Sequence, residues 1–252
     1  MATLTDDQVS QDYYQSQLSL RAQAVADFAQ FWPLLDVNNL DRSFPGYVSA
    51  IVHFFDSHRS RAVTLANEYF GTLRALASAP GGWTPVPAED IPFDQIWASL
   101  LATGPIAIKQ AVRKGWSPQR ALGTAFTGSA GAATRLILNA GRDQILANTR
   151  SDREALGWYR VASPRACAFC AMLASRGPVY QSKATATFRS HDHCVCYARP
   201  MWTADLASPS TTERFEQLWG DSSGRPGGNA DAEPSNKRLN EFRRELYANR
   251  DI

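Results

Sequence analysis

The distribution of cysteine constrains this chain more than any other feature of its sequence. All four cysteines, and two of the four histidines, lie within the thirty residues from Cys167 to Cys196. A Cys-x-x-Cys pair at Cys167 and Cys170 is followed, after twenty positions, by a His-x-His-Cys-x-Cys run that begins at His191. Two thiolates in one tight turn, joined by a second Cys or His pair, are typical of a tetrahedral metal site. The sequence therefore predicts that a bound metal, structural zinc, stabilises this segment.

Five residues are candidate ligands for this metal, and the sequence favours four of them. If residues 194–196 are extended, side-chain alternation places both cysteine sulfurs on one side and turns His193 away. His191 then either replaces one cysteine as a ligand or forms a hydrogen bond to a ligand without contacting the metal. The candidate ligands are Cys167, Cys170, His191, Cys194 and Cys196, with the four cysteines as the favoured set.

Other uses of the cysteines compete with metal binding. The thiols could form disulfides, remain free in a core, or supply a thiolate nucleophile through Cys167 or Cys170 with His191. The first residues have neither the basic nor the apolar region of a secretory signal, which predicts synthesis in a reducing cytoplasm and disfavours disulfides. Four thiols in one cluster fit metal binding better than they fit one activated nucleophile.

Residues 1–149 are predicted to form a helical domain. Thr5 and Gln8 fit a capping box, and apolar residues at helical spacing follow as far as Pro33. After a turn predicted at 41–46, a second apolar pattern indicates a long helix that ends near Leu76. The remaining predicted elements are a loop over 79–92, short helices over 93–103 and 105–114, and a long helix that begins at Ser117.

Residues 150–205 are predicted to form a small α+β unit, the cysteine module. Short strands are expected at 158–161 and near 195–197. Because the core of a unit of this size is small, the unit needs a cross-link such as a bound metal. The tail, residues 206–252, is predicted to be partly disordered, with a terminal helix over 237–250 that orders on a partner. The predicted fold class is therefore mainly α: a helical N-terminal domain, a small α+β metal-binding module and a flexible tail. No stretch is apolar enough to span a membrane.

The motif around the cysteines resembles the Mu F-like minor head proteins of tailed bacteriophages. The residues that carry the resemblance are Cys167, Cys170, Gly177, Tyr180, His191, Cys194 and Cys196. The resemblance implies a virion protein on the interior side of the portal vertex, assembled in the host cytoplasm. It also implies roles in head morphogenesis, DNA packaging or ejection, with the portal protein and the major capsid or scaffold protein as partners.

Relatives in the version of this family found in phages of actinobacteria are often labelled capsid maturation protease, which would cut scaffold or major capsid protein. The sequence has no Gly-x-Ser-x-Gly elbow and no His-Glu-x-x-His motif. His53 and His58 are five positions apart on a predicted helix, so they do not share a face. The sequence therefore predicts no catalytic residue, and whether the protein is an enzyme stays open here.

A sequence-independent DNA-binding role is a further alternative, because basic residues are concentrated around the cysteines. Between residues 150 and 200 the chain has eight Arg and Lys residues against three acids. Aromatic residues are interleaved with them, which suits contact with phosphates and bases of packaged double-stranded DNA. The candidate nucleic-acid contacts are Arg150, Arg153, Arg160, Arg165, Arg176 and Arg189.

Overall fold

Helices dominate the structure, a computed structural model that describes residues 5–163, 165–177, 188, 190–203, 210–222 and 234–249. The helices are α1 (Asp6–Phe31), α2 (Leu40–Leu76), α3 (Phe93–Leu101), α4 (Ala107–Arg113), α5 (Pro118–Ser151), α6 (Ala168–Ala174), α7 (Ser210–Asp221) and α8 (Pro234–Ala248). The strands β1 (Gly157–Val161) and β2 (Tyr197–Met201) form a two-stranded antiparallel sheet. The predicted mainly α fold with a small α+β region around the cysteines is therefore confirmed. Within these ranges no helix combines the length and apolarity needed to cross a membrane.

The starts of two long helices match their sequence signals. The Thr5 hydroxyl accepts a hydrogen bond from the Gln8 backbone N–H at 3.3 Å, and the Gln8 side chain accepts one from the Thr5 N–H at 2.9 Å. At the other helix, the Ser117 hydroxyl accepts from the Arg120 N–H at 3.3 Å. These caps satisfy backbone donors that have no partner inside the helix, which is why both helices begin where the sequence predicts.

The turn predicted at 41–46 is wrong, because α2 begins at Leu40 and contains Pro45. A proline in the second turn removes one backbone hydrogen bond. The neighbouring side chains Phe44 and Tyr47 are both buried in the aromatic core, and their burial offsets that loss. Ser43 also donates to the Asn39 carbonyl at 3.0 Å, which secures the first turn.

Two other predicted elements are shifted in the structure. The short helices α3 and α4 are joined by a π-helical turn, Ala102–Ile106, that accommodates Pro105 without a break. The second strand begins at Tyr197 instead of near residue 195, and it pairs with β1 from Gly157 opposite Met201 to Val161 opposite Tyr197. Residues 194–196 precede the strand, so the sheet supports the end of the cysteine segment without including it.

Two apolar clusters hold the chain together, and the second joins the cysteine module to the long helices. The first cluster packs α1, α2, α3 and α5 around Phe28, Ile51 and Phe55. The second combines Tyr13 of α1 and Phe70 of α2 with the strands and with α6, α7 and α8. The cysteine module therefore shares its core with the helical N-terminal part of the chain.

The terminal helix packs on its own chain, whereas the sequence predicted that it would order on a partner. Phe242 and Leu246 of α8 are fully buried, together with Phe215 of α7, in the cluster that contains the cysteines. Trp219 and Phe242 meet edge to face, with ring centroids 5.2 Å apart. The prediction failed because the surface that receives this helix is built by α6, which is distant from it in the sequence.

Glycines on α5 let this helix approach α2 closely. A Cβ added at Gly141 would lie 2.9 Å from the backbone oxygen of Ala62, so a side chain cannot be accommodated without moving α2. Gly123, on the same helix, has nothing within 4 Å of the corresponding position. Gly141 is therefore needed for the close packing of α5 on α2, whereas Gly123 is not.

We expect Gly141→Ala to destabilise the protein by about 1–3 kcal/mol, because a methyl group would be forced against backbone. Gly123→Ala, the matched control, should stabilise it by up to about 1 kcal/mol through helix propensity alone. Urea denaturation of both variants beside the wild type measures the difference. Equal effects of the two substitutions would contradict the close approach.

Candidate metal centre

The Cys-x-x-Cys pair is positioned by the first turn of α6. Cys167 is the N-cap of this helix, and its Sγ accepts a hydrogen bond from the Cys170 backbone N–H at 3.4 Å. Capping by a sulfur atom at this position turns the two thiols toward the same point. His191, Cys194 and Cys196 return to that point in the segment before β2.

The structure brings all five candidate ligands together, and we call them the cysteine cluster. One group contains Cys167, Cys170 and His191, and a second contains Cys170, Cys194 and Cys196. Within each group the candidate ligand atoms all lie within 4.8 Å of one another. All four cysteines are free, and Cys170 is common to both groups.

The interatomic distances fit a tetrahedral metal. The Cys170 Sγ lies 3.5 Å from the Cys194 Sγ and 3.4 Å from the His191 Nε2. Ligands of a tetrahedral zinc ion, at about 2.3 Å for sulfur and 2.0–2.1 Å for nitrogen, are separated by about 3.6–3.8 Å. The Cys167 Sγ and the His191 Nε2 are 2.8 Å apart, so this pair must open slightly around an ion. The cluster can therefore hold a metal ion through sulfur and nitrogen ligands.

Hydrogen bonds within the cysteine cluster favour thiolates at two of its positions. The hydrogen bond with Cys170 lowers the pKa of Cys167 to about 5, and His191 acts in the same direction. Hydrogen bonds with Cys170 and Cys196 hold the pKa of Cys194 far below its usual range. The pKa of Cys170 is raised because its thiol keeps its proton in the hydrogen bonds to Cys167 and Cys194. Metal ligation needs thiolates, so Cys167 and Cys194 already favour the required charge state, whereas Cys170 and Cys196 would lose their protons on binding.

Arg142 of α5 holds the backbone of the returning segment, and sequence reasoning missed this role. Its fully buried guanidinium donates to the Cys196 carbonyl at 2.8 Å and to the Cys194 carbonyl at 2.6 Å. A third hydrogen bond, of 2.7 Å, reaches the Asn139 side chain. Arg142 thus connects the buried face of α5 to the backbone of two candidate ligands.

The loop 190–194 is fastened to the long helices by further polar contacts. Arg135 of α5 pairs with Asp192 at 2.7 Å, and Arg21 of α1 donates to the His193 carbonyl at 3.3 Å. His193 has a φ of 64°, and its ring lies against Gly131, where an added Cβ would come within 2.5 Å of the Nε2. His193 therefore lies outside both ligand groups and acts in docking the loop on α5.

The basic residues predicted to contact nucleic acid do not form one exposed face. The prediction is wrong for Arg160, because this side chain is only 2% exposed and its guanidinium stacks 3.6 Å above the Phe188 ring. Arg176 is exposed and its Nη2 lies 3.8 Å from the Met172 sulfur. Arg189 lies outside the described residues, while the exposed positions include Arg150, Arg153 and Arg165.

The histidines outside the cysteine cluster have different environments. His53 is exposed, whereas His58 is buried and its Nε2 lies 3.0 Å from the Asp27 carboxylate. The Phe54 ring packs on the His58 imidazole, with centroids 4.7 Å apart. The pair of His58 and Asp27 therefore joins α1 to α2, with His58 buried and Asp27 partly exposed. Sequence reasoning did not anticipate Asp27 because it is thirty-one positions away.

Burial lowers the pKa of His58, and the hydrogen bond to Asp27 only partly opposes this shift. The unfolded chain, with a histidine pKa of about 6.5, then binds more protons than the folded chain. We expect stability to fall as pH drops below about 6.5, and this loss to be smaller in His58→Gln. Urea denaturation at several pH values tests this, with His53→Gln as the exposed control. An unchanged pH dependence in His58→Gln would contradict the assignment.

The comparisons with known proteins identify one family. The sequence model of the VG15 protein family matches residues 4–222, which includes the long helices and the cysteine cluster. No curated protein and no solved structure matches the chain.

Proposed function

Because the chain belongs to the VG15 protein family and is therefore a bacteriophage protein, we propose that it is a minor head protein of the virion. Its proposed place is the capsid interior at the portal vertex, reached after assembly in the host cytoplasm. Its proposed task is head morphogenesis, DNA packaging or ejection. The observation that carries this proposal is the cysteine cluster, whose five residues are among those that carry the resemblance to Mu F-like proteins and form two groups that share Cys170.

The chemistry of the cysteine cluster supports a structural role. Thiolate and imidazole ligands at tetrahedral distances favour zinc over the harder cations that prefer oxygen. Four such ligands would complete the coordination of zinc, as in structural zinc sites. When bound, zinc would supply folding free energy and cross-link α6 to the segment that Arg142 holds on α5.

The proposed partners follow from the resemblance to minor head proteins. Leu34, Phe93 and Ile106 are large apolar residues with more than a third of their surface exposed in the described part of the chain. Single exposed apolar residues are normal on protein surfaces, so these three do not by themselves identify an interface. The proposed partners are the portal protein and the major capsid or scaffold protein.

Quantitative mass spectrometry of mature particles tests the proposed function. A minor head protein is expected to be retained as a full-length chain in a fixed ratio to the major capsid protein. Empty heads purified in parallel show whether retention depends on packaged DNA. Absence of the chain from mature particles, or its recovery only as fragments, would contradict a structural role. Cleavage of purified scaffold by the purified protein would instead support the maturation protease.

A further inference from the structure

A second basic region of the chain precedes the cysteines in the sequence. Residues 95–142 contain no Asp or Glu, yet this stretch of 48 residues has six Arg and Lys residues. Three of them have structural partners, since Lys109 pairs with Asp41, Arg135 pairs with Asp192 and Arg142 is buried. The other three are exposed around the turn between α4 and α5: Arg113, Lys114 and Arg120.

We call Arg113, Lys114, Trp116 and Arg120 the basic turn. In the described part of the chain, none of its three cations forms an ion pair with a carboxylate. No acid lies within eighteen residues of it on either side in the sequence. The basic turn therefore presents charge of one sign that its own sequence does not neutralise.

The backbone of the basic turn is fixed by a complete helix-ending motif. The Gly115 N–H donates to the Val112 carbonyl at 2.9 Å, and the Trp116 N–H donates to the Ala111 carbonyl at 3.1 Å. Gly115 has a φ of 85°, the left-handed conformation that this motif requires at that position. Because Ser117 caps α5 immediately afterwards, the turn is rigid and a ligand would not have to order it.

Arg120 is also held in place by its neighbour. Its guanidinium carbon lies 4.0 Å from the centroid of the Trp116 ring, in a cation–π contact. The Trp116 ring is half-buried, so it forms a fixed platform beneath the arginine. Stacking leaves the N–H groups at the edge of the guanidinium available to donate hydrogen bonds to an anion.

From this arrangement we propose that the basic turn contacts the phosphate backbone of double-stranded DNA without reading its sequence. Phosphates in protein–DNA complexes are bound by arginine, by lysine and by helix N-termini, and the basic turn offers all three in eight residues. The proposed surface is separate from the cysteine module, where Arg160 is buried. It requires neither bound metal nor a portal partner, so it is independent of the proposed function.

Fluorescence anisotropy with the full-length chain and a labelled 30-base-pair duplex tests this proposal. Three phosphate contacts predict a slope of about −2.7 when the logarithm of the association constant is plotted against the logarithm of the salt concentration. Affinity should therefore fall about 40-fold between 50 and 200 mM salt. In Arg113→Gln/Lys114→Gln/Arg120→Gln, affinity at 50 mM salt should fall at least tenfold, with a slope near zero. Duplexes of unrelated sequence should bind equally.

The matched control removes the same number of charges from α2 and α8. Arg61→Gln/Lys237→Gln/Arg243→Gln has the same net charge as the first variant and is expected to keep its affinity within about twofold of the wild type. Thermal melting shows that both variants are folded. Equal losses in the two variants, or no loss in the first, would overturn the proposal. Competition by polyglutamate as strong as that by DNA would also overturn it, since the surface would then bind acidic proteins.

Discussion

Cys170→Ser is expected to remove the metal from the purified protein and to unfold the cysteine module. Cys170 belongs to both groups of candidate ligands, so its loss breaks each of them. In small zinc-binding units the free energy of metal binding, about 10–16 kcal/mol, is largely the free energy of folding. Elemental analysis should fall from about one zinc per chain to a trace. Hydrogen exchange should lose most protection across 157–201, with a smaller loss in the parts of α1 and α2 that share its core.

His193→Ala is the matched control for this experiment. His193 lies in the same run as the candidate ligands, yet it lies outside both groups and packs against Gly131. This variant should therefore keep its zinc. Retention of zinc by Cys170→Ser would contradict the assignment of Cys170. If anaerobically purified wild-type protein contained no metal and exposed four titratable thiols without denaturant, the zinc site itself would be refuted.

Arg142→Met is expected to destabilise the protein by about 3 kcal/mol or more. Methionine fills much of the space of the arginine stem, but it leaves the buried carbonyls of Cys194 and Cys196 without their donor. Each buried acceptor that loses its partner costs about 1–3 kcal/mol. Because the same carbonyls belong to candidate ligands, zinc affinity should fall about 10–100-fold. Urea denaturation and competition with a coloured chelator measure the two effects.

Arg135→Gln provides the comparison on the same helix. Arg135 also reaches the loop of the cysteine cluster, through Asp192, but both side chains of this ion pair are partly exposed to solvent. Partly exposed pairs contribute about 1 kcal/mol or less, so this variant should be nearly as stable as the wild type. Equal destabilisation by the two substitutions would contradict the stabilising role assigned to the hydrogen bonds of Arg142 with the Cys194 and Cys196 carbonyls.

Several elements follow from sequence signals that act over a few residues. The capping box of Thr5 and Gln8 and the cap of Ser117 place helix starts correctly, because donor and acceptor are three positions apart. The spacing of Cys167 and Cys170 likewise places two thiols in one helical turn. The same signals misplaced the turn at 41–46, since the burial of Phe44 and Tyr47 outweighs the hydrogen bond that Pro45 removes.

The burial of two arginines could not be predicted from their neighbours in the sequence. Charge and neighbouring aromatic residues predicted that Arg160 would face nucleic acid, but the structure stacks it on Phe188 in the interior. Arg142 attracted no attention in the sequence, although it holds two carbonyls of the candidate metal centre. Whether a cation is buried depends on residues far along the chain, and its own segment does not reveal them.

By itself, the sequence determined the helical fold class, the helix caps and the five residues of the cysteine cluster, because each depends on residue type and short spacing. The tertiary structure decided which surfaces meet. It placed the terminal helix on α6 and joined Arg142 to carbonyls 52 and 54 positions away. It also left the basic turn as an exposed cationic surface. The physical reason is that apolar burial and desolvation of charge depend on the packing of elements distant in sequence, which no local pattern encodes.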